Sequence, residues 1–216
     1  ALRWAAKEME RRYDILEKNT CRDIGSYHKN VTEPFFAKKS KEDLEAEGLE
    51  IPDRMPYIVI IIDELADIMQ AFPRELEAGI VRLAQMSRAT GIHLILSTQR
   101  PSVNVITGLI KANVPARLAL QVASQIDSRT ILDASGAETL LGAGDMLFQG
   151  ADMAKPERMQ SAYVTEEEVK AVVDFIKKHN EINLDDGFDI GDIHGENAES
   201  IAGGNDFGDN GDDELY

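Results

Sequence analysis

Two short runs of branched apolar residues, YIVIII at residues 57–62 and IHLIL at 92–96, set the strongest limit on how this chain folds. Each is too short for a buried helix and rich in residues that favour strands, so the first reads as a central strand covered on both faces and the second as another of the same type. Strands of that kind belong to parallel sheets. Between them Leu76, Ile80 and Leu83 recur at helical spacing, which supplies the crossover helix that a parallel pair needs.

The same alternation continues downstream. A Pro-initiated helical segment is expected at residues 102–111, then a strand at ARLALQV, a helix at DSRTILD and a strand at DMLFQ. Together these predict an α/β sheet with right-handed crossovers. ERMQSAYV adds an edge strand, and Val169, Val172, Val173 and Ile176 mark a final amphipathic helix. That helix is opened by Thr165 with Glu168 three residues on, the pattern of a capping box. At the other end, Leu2, Ala5, Met9, Tyr13 and Leu16 predict a helix over residues 3–19. The segment from 20 to 56 mixes Gly, Pro and charge without sustained periodicity and reads as a long surface excursion.

The net charge of −16 weighs against nucleic acid as a partner until its distribution is considered. Residues 181–216 hold 12 acids and no Lys or Arg, which leaves 27 acids against 23 bases in residues 1–180, a net of −4. The tail is Gly- and Asp-rich with few large apolar residues, so it reads as a disordered acidic linker. Two regions result, a folded one at 1–180 and a linker at 181–216. The longest apolar run is six residues, against the roughly 20 that span a bilayer. A single cysteine, Cys21, rules out an intrachain disulfide framework and reads as a buried, inert thiol. The four histidines show no zinc-ligand spacing with it.

The first strand runs straight into Asp63 and Glu64. In open α/β sheets ligands bind beyond the carboxyl ends of the strands. A carboxylate at such a tip can orient Mg²⁺, and its neighbour can polarise the water that attacks a γ-phosphate. The alternative is that Asp63 caps the next helix and Glu64 lies near its positive end. The second strand ends in Ser97, Thr98 and Gln99, which would bring Gln99 to the same place as a neutral phosphate sensor. No G-x-x-x-x-G-K-[ST] loop occurs in the 216 residues.

LRWAAKEMERRY, IVIIIDELADIM, the run from SRATGIHLILSTQRP through GAGDML, and PERMQSAYVTEEEV resemble the motor domain of the FtsK/SpoIIIE DNA translocases. The resemblance extends over about residues 2–178 and is longest over 87–147. It implies a RecA-like P-loop NTPase core, here partial, with a largely parallel sheet and flanking helices. By the same resemblance Asp63 and Glu64 form the Walker B pair, Asp63 holding Mg²⁺ through water, and Gln99 is the sensor. ATP and Mg²⁺ are the implied cofactors of the complete motor.

The Walker A segment of that family is not found, which implies that the chain is the C-terminal portion of a motor. The terminal DDELY resembles the start of a winged-helix module. The resemblance further implies a homo-hexamer around double-stranded DNA, working in the cytoplasm during cell division or sporulation, with membrane-spanning segments upstream. Motors of this kind take an arginine from the neighbouring subunit, and Arg129 and then Arg88 are the candidates; a structural ion pair is the other reading of each. Lys111, Lys155 and Arg158 are candidates for DNA phosphate contacts, against the alternative of plain solvated charges. A protein-secretion ATPase of the same fold and a non-catalytic interaction module are the competing functions.

Overall fold

The computed structural model describes residues 1–38 and 51–180. The chain divides into two units, Ala1–Ala171 and Val172–Tyr216. The linker and winged-helix expectations for 181–216 lie outside the described residues.

Helix α1 (Leu2–Lys18) buries Ala5, Met9, Arg12 and Leu16 at four- and three-residue steps, as its sequence period requires. Arg12 is tolerated in that row because its charge is paired and its guanidinium hydrogen-bonded: Nε donates to Glu8 Oε1 at 2.7 Å and Nη1 to the Thr90 carbonyl at 2.9 Å. The surface excursion expected after α1 is instead partly helical. Asp23 and Ser26 form a reciprocal cap that starts α2 (Ile24–Tyr27), followed by a π-helical turn (His28–Thr32) and α3 (Glu33–Lys38). Ile24 and Tyr27 pack with Leu16 and Met55. Cys21 is half-buried, with its Sγ donating to the Asn19 carbonyl, so the buried-thiol expectation is corrected.

Strand β1 (Ile58–Ile62) pairs in parallel with β2 (Ile92–Leu96), Ile58 opposite Ile92 and Ile62 opposite Leu96. The crossover holds α4 (Leu65–Ala71) and α5 (Pro73–Met86). α5 buries Leu76, Ile80 and Leu83, the expected row. Ile58, Ile60 and Leu94 pack against Ala5, Met9, Leu83 and Ile92, while Ile62 and Leu96 join Leu65, Met69, Ile80 and Ile110. The other face is open: Val59, Ile61 and Ile95 are 53%, 67% and 51% exposed. The expectation of cover on both faces is therefore corrected. The described helices packed against this strand pair, α1, α4, α5 and the one that carries Ile110, meet its Ile58–Ile60–Ile62 side, and Val59, Ile61 and Ile95 on the opposite one stay exposed.

Thr107 caps α6 (Gly108–Asn113), six residues later than the sequence start at 102. The next three strands depart from the parallel expectation. β3 (Arg117–Leu120), β4 (Asp145–Gln149) and β5 (Glu157–Gln160) form an antiparallel sheet in the order β3-β4-β5. Between β3 and β4 the chain forms α7 (Gln125–Leu132), whose cap residue Asp133 turns left-handed at φ +57°. It then enters β4 through Gly144 at φ +87°, where a Cβ would lie 2.1 Å from Ser161 Oγ. The reversal at these turns returns the chain antiparallel. The fold class stays α/β, with a parallel pair flanked by helices and an antiparallel sheet beside it in sequence. β5 takes the expected edge position.

The last helix, α8 (Glu166–His179), runs across the boundary between the two units in sequence. Its capping box is present: the Thr165 amide donates to Glu168 Oε2 at 2.9 Å and the Glu168 amide to Thr165 Oγ1 at 3.1 Å. Among the described residues no helix is long and apolar enough to cross a membrane.

Candidate active site

The parallel register sets Ile62 beside Leu96, so the residues following both strands emerge at one sheet end. Backbone pairing continues past the strands: the Ser97 amide donates to the Ile62 carbonyl and the Leu65 amide to the Ser97 carbonyl, both at 2.8 Å. This brings Glu64 against the segment 97–100. Thr98 Oγ1 donates to Glu64 Oε1 at 2.5 Å, and the Gln99 amide donates to Oε2 at 3.0 Å. Glu64 is also the N-cap of α4, Oε1 accepting from the Ala66 amide at 3.1 Å. The capping role that the sequence offered to Asp63 thus falls to Glu64. Its carboxyl is held below the ordinary value first by the Thr98 hydroxyl, then by the Gln99 amide, with Ala66 and the Arg100 charge adding to them.

Asp63 is exposed and makes no hydrogen bond or ion pair with a described residue. The Gln99 side chain is likewise exposed and unengaged. One uncommitted carboxylate, one restrained carboxylate and one free amide therefore share the strand ends. No group of three or more metal-ligating side chains occurs among the described residues. A lone carboxylate at Asp63 suits a hard divalent cation that keeps its waters and shares phosphate oxygens, as Mg²⁺ does, rather than an all-protein cage.

The remaining candidates are dispersed. Arg129 is exposed on α7 and makes no ion pair with a described residue. Asp127 accepts from the Ser124 amide and hydroxyl, and Asp133 from Lys111 and Arg117, while the Arg129 charge helps to hold the Glu138 carboxyl below its ordinary value, after the Gly136 amide. Arg88 is exposed in the turn before β2, a strand length from Gln99. Lys111 Nζ donates to Asp133 Oδ1 at 2.6 Å. Arg158 forks onto Asp145, Nε to Oδ1 at 2.8 Å and Nη2 to Oδ2 at 2.7 Å. Lys155 is exposed in the β4–β5 turn. Sequence reasoning missed two site contacts, the Thr98 bond to Glu64 and the Arg100–Asp67 pair at 2.6 Å. The available signal was the hydroxyl and cation flanking Gln99 in STQRP.

Residues 1–103 match the FtsK/SpoIIIE family. The chain is 52% identical over 176 residues to the DNA translocase FtsK of Chlorobaculum tepidum, covering 82% of this chain and 20% of that protein. It is 46% identical over 207 residues to DNA translocase FtsK 2 of Ralstonia nicotianae, covering 94% and 26%. The chain spans about a fifth to a quarter of the length of these relatives. Among solved structures it resembles the pCW3 conjugation coupling protein TcpA in its monomer form with ATPgS, at 28% identity and a TM-score of 0.61, covering 81% of this chain and 47% of that one. The cytoplasmic domain of the Thermomonospora curvata type VII secretion ATPase EccC shares the fold at 20% identity and a TM-score of 0.61, covering 82% and 19%. On the family match over residues 1–103 and the identity of about half to two DNA translocases FtsK over most of its length, the chain belongs to the FtsK/SpoIIIE family.

Proposed function

We propose that this chain is part of an ATP-driven double-stranded DNA translocase motor serving chromosome segregation and cell division or sporulation. The observation that carries the reading is the gathering of Asp63, Glu64 and the Gln99 segment at one end of a parallel strand pair, in a chain about half identical to proteins named DNA translocases. Asp63 would hold Mg²⁺ through water, and the ion would supply neutralisation of the phosphate charge. Glu64 accepts a proton from the attacking water as the water oxygen bonds to the γ-phosphorus. The bond to the β–γ bridging oxygen breaks, and ADP leaves with phosphate as the second product. Gln99 donates to the γ-phosphate and registers its loss.

The motor is a homo-hexamer around the duplex, in the cytoplasmic part of a membrane-anchored parent. Arg129 reaches the neighbouring subunit's nucleotide; its exposure and the absence of a direct ion pair with a described residue support that role, with Glu138 the one local carboxylate on which its charge is seen to act. Arg88, at the far end of β2, is the second candidate. Lys155, exposed and uncommitted, is the strongest of the three candidates for DNA phosphate contact, since Lys111 and Arg158 are engaged by carboxylates. A secretion ATPase has only the shared fold in its favour.

The full-length protein tests the assignment. Glu64→Gln is expected to bind ATP with parental affinity while DNA-stimulated hydrolysis falls at least about 100-fold. Hydrolysis within a few-fold of the parent would refute Glu64 as the base. In the same assay Arg129→Ala subunits mixed sparingly into parental protein are expected to depress activity beyond their share, and strictly proportional loss would return Arg129 to a local role. The 216 residues alone, which carry no G-x-x-x-x-G-K-[ST] sequence, are expected to hydrolyse no measurable ATP.

A further inference from the structure

The segment after β2 is stapled to the segment after β1 by more than strand pairing. Thr98 Oγ1 donates to Glu64 Oε1 at 2.5 Å and accepts from the Arg100 amide at 3.1 Å, so both functions of the hydroxyl are assigned and its direction is fixed. The Gln99 amide donates to Glu64 Oε2 at 3.0 Å. Arg100 Nη2 reaches Asp67 Oδ1, further into α4, at 2.6 Å. With the Ala66 amide on Oε1 at 3.1 Å, Glu64 receives three donors, two on one oxygen and one on the other.

A carboxylate offers about four lone-pair sites. Three are filled here, and the vacancy is on Oε2. We infer that Thr98 is a positioning residue that fixes the Glu64 carboxylate so that Oε2 alone presents a free lone pair to the attacking water. The inference rests on the proposed role of Glu64 as base. Oε1 is committed to Thr98 and to the helix cap, and neither bond needs to break for Oε2 to take a proton. Oε2 shares the backbone of Gln99 as its other partner, so the base and the γ-phosphate sensor move as one body. Without the hydroxyl, one amide remains on each oxygen, Ala66 on Oε1 and Gln99 on Oε2, and the shortest of the three restraints on the last torsion, which is broad and shallow, is lost. The lone pair then loses its aim, and misplacement of about 1 Å in a catalytic group costs on the order of 100-fold in rate. The loss is expected in kcat rather than KM, because the Thr98 side chain bonds to Glu64 and to the Arg100 amide, neither of which is assigned to hold nucleotide.

The test compares Thr98→Val, Thr98→Ser and Glu64→Gln in the full-length protein, measuring DNA-stimulated ATP hydrolysis and equilibrium binding of ATP. Thr98→Val removes the hydroxyl at nearly constant shape and is expected to lower kcat by about 10- to 100-fold with KM within about twofold. Thr98→Ser, which restores the donor, is expected to recover most of the loss. Thr98→Ala replaces Thr98→Val if the valine variant does not fold, as read by circular dichroism. Parental kcat in the hydroxyl-free variant, a loss carried by KM, or failure of serine to rescue each overturns the inference. Glu64→Gln separates the two claims: if it abolishes hydrolysis while Thr98→Val is parental, the positioning role alone fails, and if it retains hydrolysis, the base assignment fails and the inference with it.

Discussion

Asp145, the first residue of β4, accepts both ends of the Arg158 fork from β5 and a bond from the Leu141 amide at 2.8 Å. The two residues are diagonal neighbours across the antiparallel pair, since Asp145 faces Gln160 and Leu147 faces Arg158. Arg158, followed by the Leu141 amide, lowers the Asp145 pKa from 3.8 to about 2. A carboxylate depressed in the folded state contributes stability that is complete above its unfolded pKa and lost as pH falls through the folded one. Thermal midpoints measured from pH 6 downward should therefore show an acid limb between about 4 and about 2 that Asp145→Asn makes shallower. Parallel limbs for the two proteins would show that the pair does not couple to folding. The charge that the sequence offered to DNA is thus committed within the sheet, and no spacing in ERMQ could reveal it. Asp63, Glu64 and Gln99 were legible because buried strands ending in polar groups announce a sheet end. The Thr98 contact was not, because it depends on the register of two strands 34 residues apart.

Elements whose burial follows their own period were readable. α1 and α5 bury the residues their spacing selects, because a helix packed on one side needs one apolar stripe. α2 and α3 were missed since four to six residues cannot display a period, and only the Asp23–Ser26 cap marks the start. Pro101 suits a helix start and predicts one at residue 102, yet Thr107 supplies the side-chain cap and the helix begins after it. The antiparallel return of β4 was hidden for another reason: strand direction is decided by the turns between β3 and β4, and apolar periodicity carries no direction. α5 offers the cleanest energetic test of an element. Leu83 is fully buried between α1 and β2, in contact with the cluster of Ala5, Met9 and Ile92. Leu83→Ala should lower the unfolding free energy by about 2–5 kcal/mol through lost burial and a residual cavity. A loss below about 1 kcal/mol in denaturant titration would mean that the three elements close over the gap.

In both sheets of the described residues, burial is one-sided. In the parallel pair, Val59, Ile61 and Ile95 alternate with residues packed on α1 and α5. In the antiparallel sheet, Leu118 and Leu120 alternate with the buried Ala119 and are both 58% exposed, while Ala119 packs with Leu132, Ala137 and Leu140. Parallel strands are ordinarily covered on both faces, and contiguous exposed apolar patches mark surfaces that meet other protein. The net charge of −16 opposes self-association, but 12 of the 39 acids lie in residues 181–216, so charge on the remainder is a weak guard. The isolated chain should therefore bind a hydrophobic dye such as ANS and form salt-promoted oligomers. Replacing Val59 and Ile61 together by Thr keeps β-branched strand formers while removing apolar surface from one face. That double variant is expected to reduce ANS fluorescence several-fold and to lower the apparent mass at high salt, with circular dichroism unchanged. Full-length protein should bind little dye at all if these faces are covered there. Equal dye binding by the isolated chain, its double variant and the full-length protein would place the exposed surface elsewhere and leave the one-sided packing of β1 and β2 without consequence in solution.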